Sequence, residues 1–188
     1  FMLGGCRHRL NKLELALDAF ERLLLIDPEH RQGRFAAATI ASALRRFGRA
    51  LHHCNSLLSN SPDDPQALTG MGIVLEAQGS KTDALLYYDR TLMLDPGWKD
   101  ALINRGALLL ELDEAPAALV NNQQLLAHYP TFHRAHLEVG KASMACGFYE
   151  AASESFSQAL AIQPNDGATL LHAGFAKALQ EDFGVAQI

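Results

Sequence analysis

The chain has 188 residues, 48% of them hydrophobic and 20% charged, with a formal net charge of -5. That mild acidity, with sixteen scattered Lys and Arg, argues against a nucleic-acid binder working through a basic face, and no apolar run is long enough to span a membrane. Three well-separated cysteines (Cys6, Cys54, Cys146) without a CxxC leave no disulfide framework and no cysteine zinc site, and point to a reducing, cytoplasmic compartment.

Five of the seven prolines fall on one ruler, Pro28, Pro62, Pro96, Pro130 and Pro164, each 34 residues from the next. Taking the proline as position 32 divides the chain into units 1–30 (partial), 31–64, 65–98, 99–132, 133–166 and 167–188 (partial). In the first, Asn11 followed by Glu14 reads as a capping box that opens a second helix, which Pro28 closes. The second unit opens at Arg31 and closes at Pro62. Asp64-Pro65 then reads as an N-cap with proline at the first helical position. The third unit places a first helix over Gln66–Gln78, a turn at Gly79-Ser80 and a second helix over Lys81–Leu94, with Ser80 and Asp83 as its capping box. Asp113 and Pro116 mark the start of the second helix in the fourth unit. The fifth repeats the pattern up to Pro164, and the sixth is cut short. Each ruler proline lacks an N–H and drives its predecessor out of the helical region, so it ends the second helix.

Other positions recur on the same beat. Position 20 is alanine in all six units: Ala16, Ala50, Ala84, Ala118, Ala152 and Ala186. Position 8 is Gly4, Ala38, Gly72, Gly106, Gly140 and Gly174, and position 28 is leucine from Leu24 to Leu160. A mid-helix glycine costs about 1 kcal/mol relative to alanine, so five of them imply a close helix approach that admits no Cβ. The position-20 alanine is expected as the opposing contact. One helix pair buries too little to stand alone; stacked pairs share a continuous core. The expected fold is therefore all-α, a right-handed α-solenoid of antiparallel helix pairs with about five and a half units, forming a single domain over 1–188.

The period, the small residues and the closing proline resemble the tetratricopeptide repeat (TPR), whose pattern is W-x2-L-G-x2-Y, A-x3-F, P. Leu3-Gly4, Ala16 with Phe20, and Pro28 carry it in the first unit; Met71-Gly72, Ala84 with Tyr88, and Pro96 in the third; Val139-Gly140, Ala152 with Phe156, and Pro164 in the fifth. Departures are plain: position 4, usually a large aromatic, is Arg34, Leu68, Leu102, His136 or Leu170. In the fourth unit Arg105 and Asn122 read either as a buried polar contact or as an arginine whose head reaches solvent along its stem.

Helical periodicity puts positions 4, 7, 8 and 11 on the second helix and turns positions 2, 5, 9, 12 and 13 away from it. The resemblance implies that this second stripe lines a concave, partner-binding surface. The candidate groove residues are Phe35, Thr39, Ile73, Glu76, Ile103, Asn104, Leu110, Arg134, Leu137, Lys141, Met144, Leu171 and Phe175. A contiguous apolar groove marks an interaction site, here for a peptide or an amphipathic helix of another protein. The alternative is that neighbouring first helices bury much of the stripe against one another. Phe35, Ile73, Leu110 and Phe175 are the expected exposed anchors. Groove charges are mixed, so steering by one sign is not expected. No unit carries the lysine and asparagine at positions 5 and 9 with which some relatives clamp a C-terminal carboxylate. Position 6 reads Ala36, Gly70, Asn104, Glu138 and His172, which is not an asparagine ladder.

No catalytic motif is present, no cofactor is implied and no metal is expected. His52, His53 and Cys54 are adjacent on a helix and point apart, and His133 with His136 lacks a third ligand. The leading reading is a non-catalytic protein-interaction scaffold that binds neither nucleic acid nor membrane. The alternative is the substrate-recruiting arm of a larger multidomain enzyme such as a protein glycosyltransferase, since the chain looks excised from something longer. Uncapped ends bearing Leu170, Ala173 and Leu179 also permit self-association.

Overall fold

A computed structural model describes the backbone of residues 2–185 and the side chains of residues 12–181. Among the described residues there are ten helices and no strand: α1 (Met2–Ile26), α2 (Arg31–Ala43), α3 (Phe47–Asn60), α4 (Pro65–Gln78), α5 (Lys81–Leu94), α6 (Lys99–Glu111), α7 (Ala115–His128), α8 (His133–Ala145), α9 (Tyr149–Ile162) and α10 (Gly167–Val185). None is long and apolar enough to cross a membrane. The first helices begin at Arg31, Pro65, Lys99, His133 and Gly167, on the proline ruler's beat. The molecule divides into two compact units, Phe1–Pro96 with α1–α5 and Gly97–Ile188 with α6–α10.

The proline ruler works as its chemistry dictates. The residues before it are extended, with Ser61 at φ -144°, ψ 86° and Asp95 at φ -138°, ψ 97°, and each second helix stops there. Asp64 caps α4 by accepting from the backbone N–H of Gln66 at 3.0 Å, with Pro65 behind it.

Inside each complete repeat the first helix ends in the same left-handed turn. Arg45 (φ 57°), Gly79 (φ 98°), Asp113 (φ 60°) and Gly147 (φ 80°) are its four left-handed residues, spaced by the repeat. Behind each runs a six-residue backbone bond: Arg46 N to Ala41 O (2.8 Å), Ser80 N to Leu75 O (2.9 Å), Glu114 N to Leu109 O (2.9 Å) and Phe148 N to Ser143 O (2.8 Å). These are Schellman closures, which satisfy carbonyls that the helix end leaves free.

The structure corrects three expectations. First, Asn11 opens no second helix: α1 runs unbroken through it, and Glu14 pairs with Arg46 (Nε 3.1 Å from Oε1) instead of reaching back to cap. The surroundings of Gly4, the side chain of Asn11 and all of Ala186 lie outside the described residues. Second, Ser80 stands at the N-cap of α5 without a side-chain capping bond, and Asp113 is the left-handed turn residue, with Glu114 at the N-cap of α7. Third, the side chain nearest to position 8 is that of position 24, ahead of the position-20 alanine. A Cβ at Gly72 would stand 2.5 Å from Tyr88 Cε1, one at Gly140 2.4 Å from Phe156 Cε1, and one at Gly106 2.1 Å from Asn122 Oδ1. Glycine is required there because a bulky side chain lies flat on the helix. The alanines Ala50, Ala84, Ala118 and Ala152 are fully buried, and Ala152 joins Leu137, Phe156 and Ala176 in one cluster.

Candidate functional site

In the first compact unit, α2 and α4 pack side by side; α2 turns Phe35, Thr39 and Ser42 and α4 turns Gly70 and Ile73 towards a shared pocket, while Thr69 is buried. Between them lies an apolar pocket of about 310 Å³, lined among others by Phe35, Thr39 and Ile73, with Cys54 and Gly70 also on its walls. Phe35 is half-buried, and the Arg31 guanidinium sits 5.1 Å from its ring centroid. Thr39 is exposed and donates to the Phe35 carbonyl at 2.9 Å. Ile73 remains 42% exposed. Glu76 is held aside, accepting from the Tyr88 hydroxyl at 2.7 Å; burial and that carboxylate together push the phenol well above its usual range.

In the second compact unit the same stripe is divided. Ile103 and Leu137 are each only 7% exposed, so neighbouring helices cover them. Asn104, Leu110, Lys141 and Met144 are half-buried and Arg134 is exposed. On α10, Leu171 and Phe175 are 59% and 55% exposed. Thus the stripe is partly core and partly surface.

The residue that sequence reasoning missed is Glu138. It is almost fully buried on α8 and accepts from Lys141 Nζ at 3.2 Å and Arg134 Nε at 3.4 Å. Both groove cations are therefore directed at a carboxylate of their own helix. Their spacing to Glu138, four residues back and three ahead, was the available signal. Asn121 and Asn122 form a second buried polar group. Asn121 donates to the Leu102 carbonyl (2.7 Å) and to Asn122 Oδ1 (3.0 Å), Asn122 donates to the Glu138 carbonyl (2.9 Å), and Arg105 Nη1 donates to Asn121 Oδ1 (3.2 Å). Arg105 is thus half-buried and bonded to Asn121, the neighbour of Asn122.

A larger cleft, about 800 Å³, opens between α1 and α3. Its charges are largely committed to one another. Arg49 forks onto Glu21, with Nε 2.8 Å from Oε1, and His53 Nε2 lies 3.4 Å from the same oxygen. Burial would raise the Glu21 pKa, but the Arg49 hydrogen bond and charge, helped by His53, hold it below the usual carboxylate range. Burial pulls His53 below its ordinary value despite Glu21.

The histidines do not converge. His133 Nε2 meets Thr169 Oγ1 at 3.1 Å, His136 Nε2 meets the Pro130 carbonyl at 2.9 Å, and the His52 and His53 rings meet edge-on at 5.6 Å. Among the described residues no three metal-binding side chains share a site.

Two models described as Tetratricopeptide repeat match the chain, one over residues 35–101 and one over 1–30. The chain belongs to the tetratricopeptide-repeat family. It is similar to Protein FlbA of Caulobacter vibrioides, 29% identical over 119 residues that cover 63% of this chain and 20% of that protein. The chain spans about a fifth of the length of the curated relatives it matches. Among solved structures, TTC0263, a thermophilic TPR protein of Thermus thermophilus, superposes with a TM-score of 0.71 at 19% identity, over 94% of this chain and 96% of that one. The first TPR of Spaghetti (RPAP3), bound to the HSP90 peptide SRMEEVD, superposes at 0.60 with 19% identity, over 62% of this chain and 93% of that one. The TPR fold is therefore shared well beyond detectable sequence identity.

Proposed function

We propose that this TPR chain is a non-catalytic scaffold that takes a peptide or an amphipathic helix of a partner protein against its first-helix face. The observation that carries the reading is the apolar pocket between α2 and α4, where Phe35, Thr39 and Ile73 meet at the surface. The first TPR of Spaghetti, similar in fold, is bound to an HSP90 peptide, which supports the reading. The unpaired thiols of Cys54 and Cys146 fit a reducing, cytoplasmic setting.

The test is a fluorescence-anisotropy titration of helical and extended peptide libraries against the native chain, Ile73→Ala and Phe175→Ala. Removing the Ile73 anchor is expected to weaken binding at the α2–α4 pocket by about tenfold or more, from a lost burial of roughly 1.5–3 kcal/mol, while Phe175→Ala tests α10 in the other unit by itself. Equal affinity in all three proteins removes this face as the site. Self-association is the competing use of α10, where Leu170, Leu171 and Phe175 are all at least half exposed. Sedimentation at increasing concentration separates the two, because Phe175→Ala would then abolish a dimer instead of peptide binding.

A further inference from the structure

Position 24 carries a ring in three units, Phe20, Tyr88 and Phe156, and position 8 of each is glycine in sequence; Gly72 faces Tyr88 and Gly140 faces Phe156. The unit 31–64 breaks this rule on both sides: Cys54 replaces the ring and Ala38 replaces the glycine. Ala38 and Cys54 are both buried, and both line the pocket that opens between α2 and α4. The pocket therefore sits against the place where the repeat's ring is missing. Gly70 widens it further. A Cβ there would meet Cys54 Sγ only at 3.9 Å and Phe35 Cε1 at 4.0 Å, so the glycine answers no steric demand.

From this we infer that the pocket is a socket for one bulky, uncharged side chain of the partner, a phenylalanine or leucine, which takes up the room the absent ring leaves. The inference rests on the first-helix reading above. Volume suits it: apolar cavities of about 150 Å³ already accept benzene, and this one has about 310 Å³. Charge suits it as well. No charged side chain lines the pocket, and the Thr39 hydroxyl is already donating to the Phe35 carbonyl. Burial pushes the Cys54 thiol up to about 11, so it stays neutral at physiological pH. An acidic or basic side chain entering here would lose its hydration and meet no opposite charge on the walls, only the Ser42 and Thr39 hydroxyls.

The experiment uses methyl-labelled full-length chain and N-acetyl-phenylalanine amide as the probe, with N-acetyl-aspartate amide as the charged control. Saturable shifts at the Ile73 and Val74 methyls, with a Kd on the order of 1 mM, are expected for the first probe and not the second. Two variants fill the socket by different routes. Ala38→Gly/Cys54→Phe copies the Gly140–Phe156 pair, and Gly70→Leu fills from α4. Either is expected to weaken the probe by at least about tenfold while thermal unfolding shows the fold intact. No saturable shift in the native chain, or equal binding in both filled variants, overturns the socket. Library peptides that bind the native and filled chains alike also overturn it, while leaving the first-helix face standing. Probe binding at the socket without any peptide binding does the reverse.

Discussion

At Gly72 a single hydrogen in place of a methyl lets the Tyr88 ring lie against the α4 backbone. Gly72→Ala should gain about 1 kcal/mol of helix propensity yet lose more by pushing that ring away. The expected net effect is a destabilisation of about 1–3 kcal/mol in urea titration. Pairing it with Tyr88→Cys recreates the Ala38–Cys54 combination, so the double variant should be less damaged than the sum of the two single ones. The glycine beat was legible in the sequence; its opposing partner was not. Position 24 is Phe, Cys, Tyr, Asn and Phe in turn, so volume matters there while the letter changes, and the invariant alanine drew the eye instead. Titration also belongs at this scale. His53 is held below its ordinary pKa by burial, so the unfolded chain takes up its proton first as pH falls. Its stabilising contribution is complete above about 6.5 and is lost as pH drops from there towards the folded value. Glu21, also depressed, adds a further loss below its unfolded pKa of 4.5. His172, lowered by burial as well, acts with the same sign. His53→Phe should therefore flatten, but not abolish, the fall in urea midpoint between pH 6.5 and pH 5.

Among elements, the turn that closes each first helix shows how far local signals reach. Gly79 announced its left-handed turn; Arg45 and Asp113 take the same conformation without the residue that favours it. Arg45 carries a Cβ against the following carbonyl, a cost of roughly 1–2 kcal/mol. Arg45→Gly should consequently raise stability by about 1 kcal/mol, measured by thermal unfolding, whereas Gly79→Ala should lower it by a similar amount. The adjacent helices, in contact across the turn, hold these residues in place, and that force is not written in the dipeptide. Conversely, the Asn11–Glu14 spacing looked like a helix start, but no left-handed residue interrupts α1, and Glu14 found Arg46. A capping box competes with any better partner that tertiary contact supplies.

For the molecule as a whole, surface charge is shaped by ion pairs, some between helices, such as Arg46–Glu14 and Arg49–Glu21, and some within one, as on α8. Arg134 and Lys141 give α8 a cationic stretch that Glu138 partly offsets from beneath. Glu138→Gln should leave both cations uncompensated. An acidic test peptide should then bind several-fold more tightly at low salt, with the gain disappearing at high salt; anisotropy titration at two ionic strengths checks this.

The order of amino acids was enough for the period, the all-helical character, the ends of the second helices and the stripe from which a groove could be built. Each of these follows from backbone chemistry or from the angular spacing of side chains about one axis, and neither needs a neighbour to be known. Tertiary structure alone decided which members of that stripe meet solvent. Ile103 and Leu137 share a repeat position with Phe35 and Leu171, yet the first two are covered while Phe35 is only half-buried and Leu171 is exposed. Direction about a helix axis is a property of one segment. Burial is a property of what another segment brings against it, as the missing ring at Cys54 also shows.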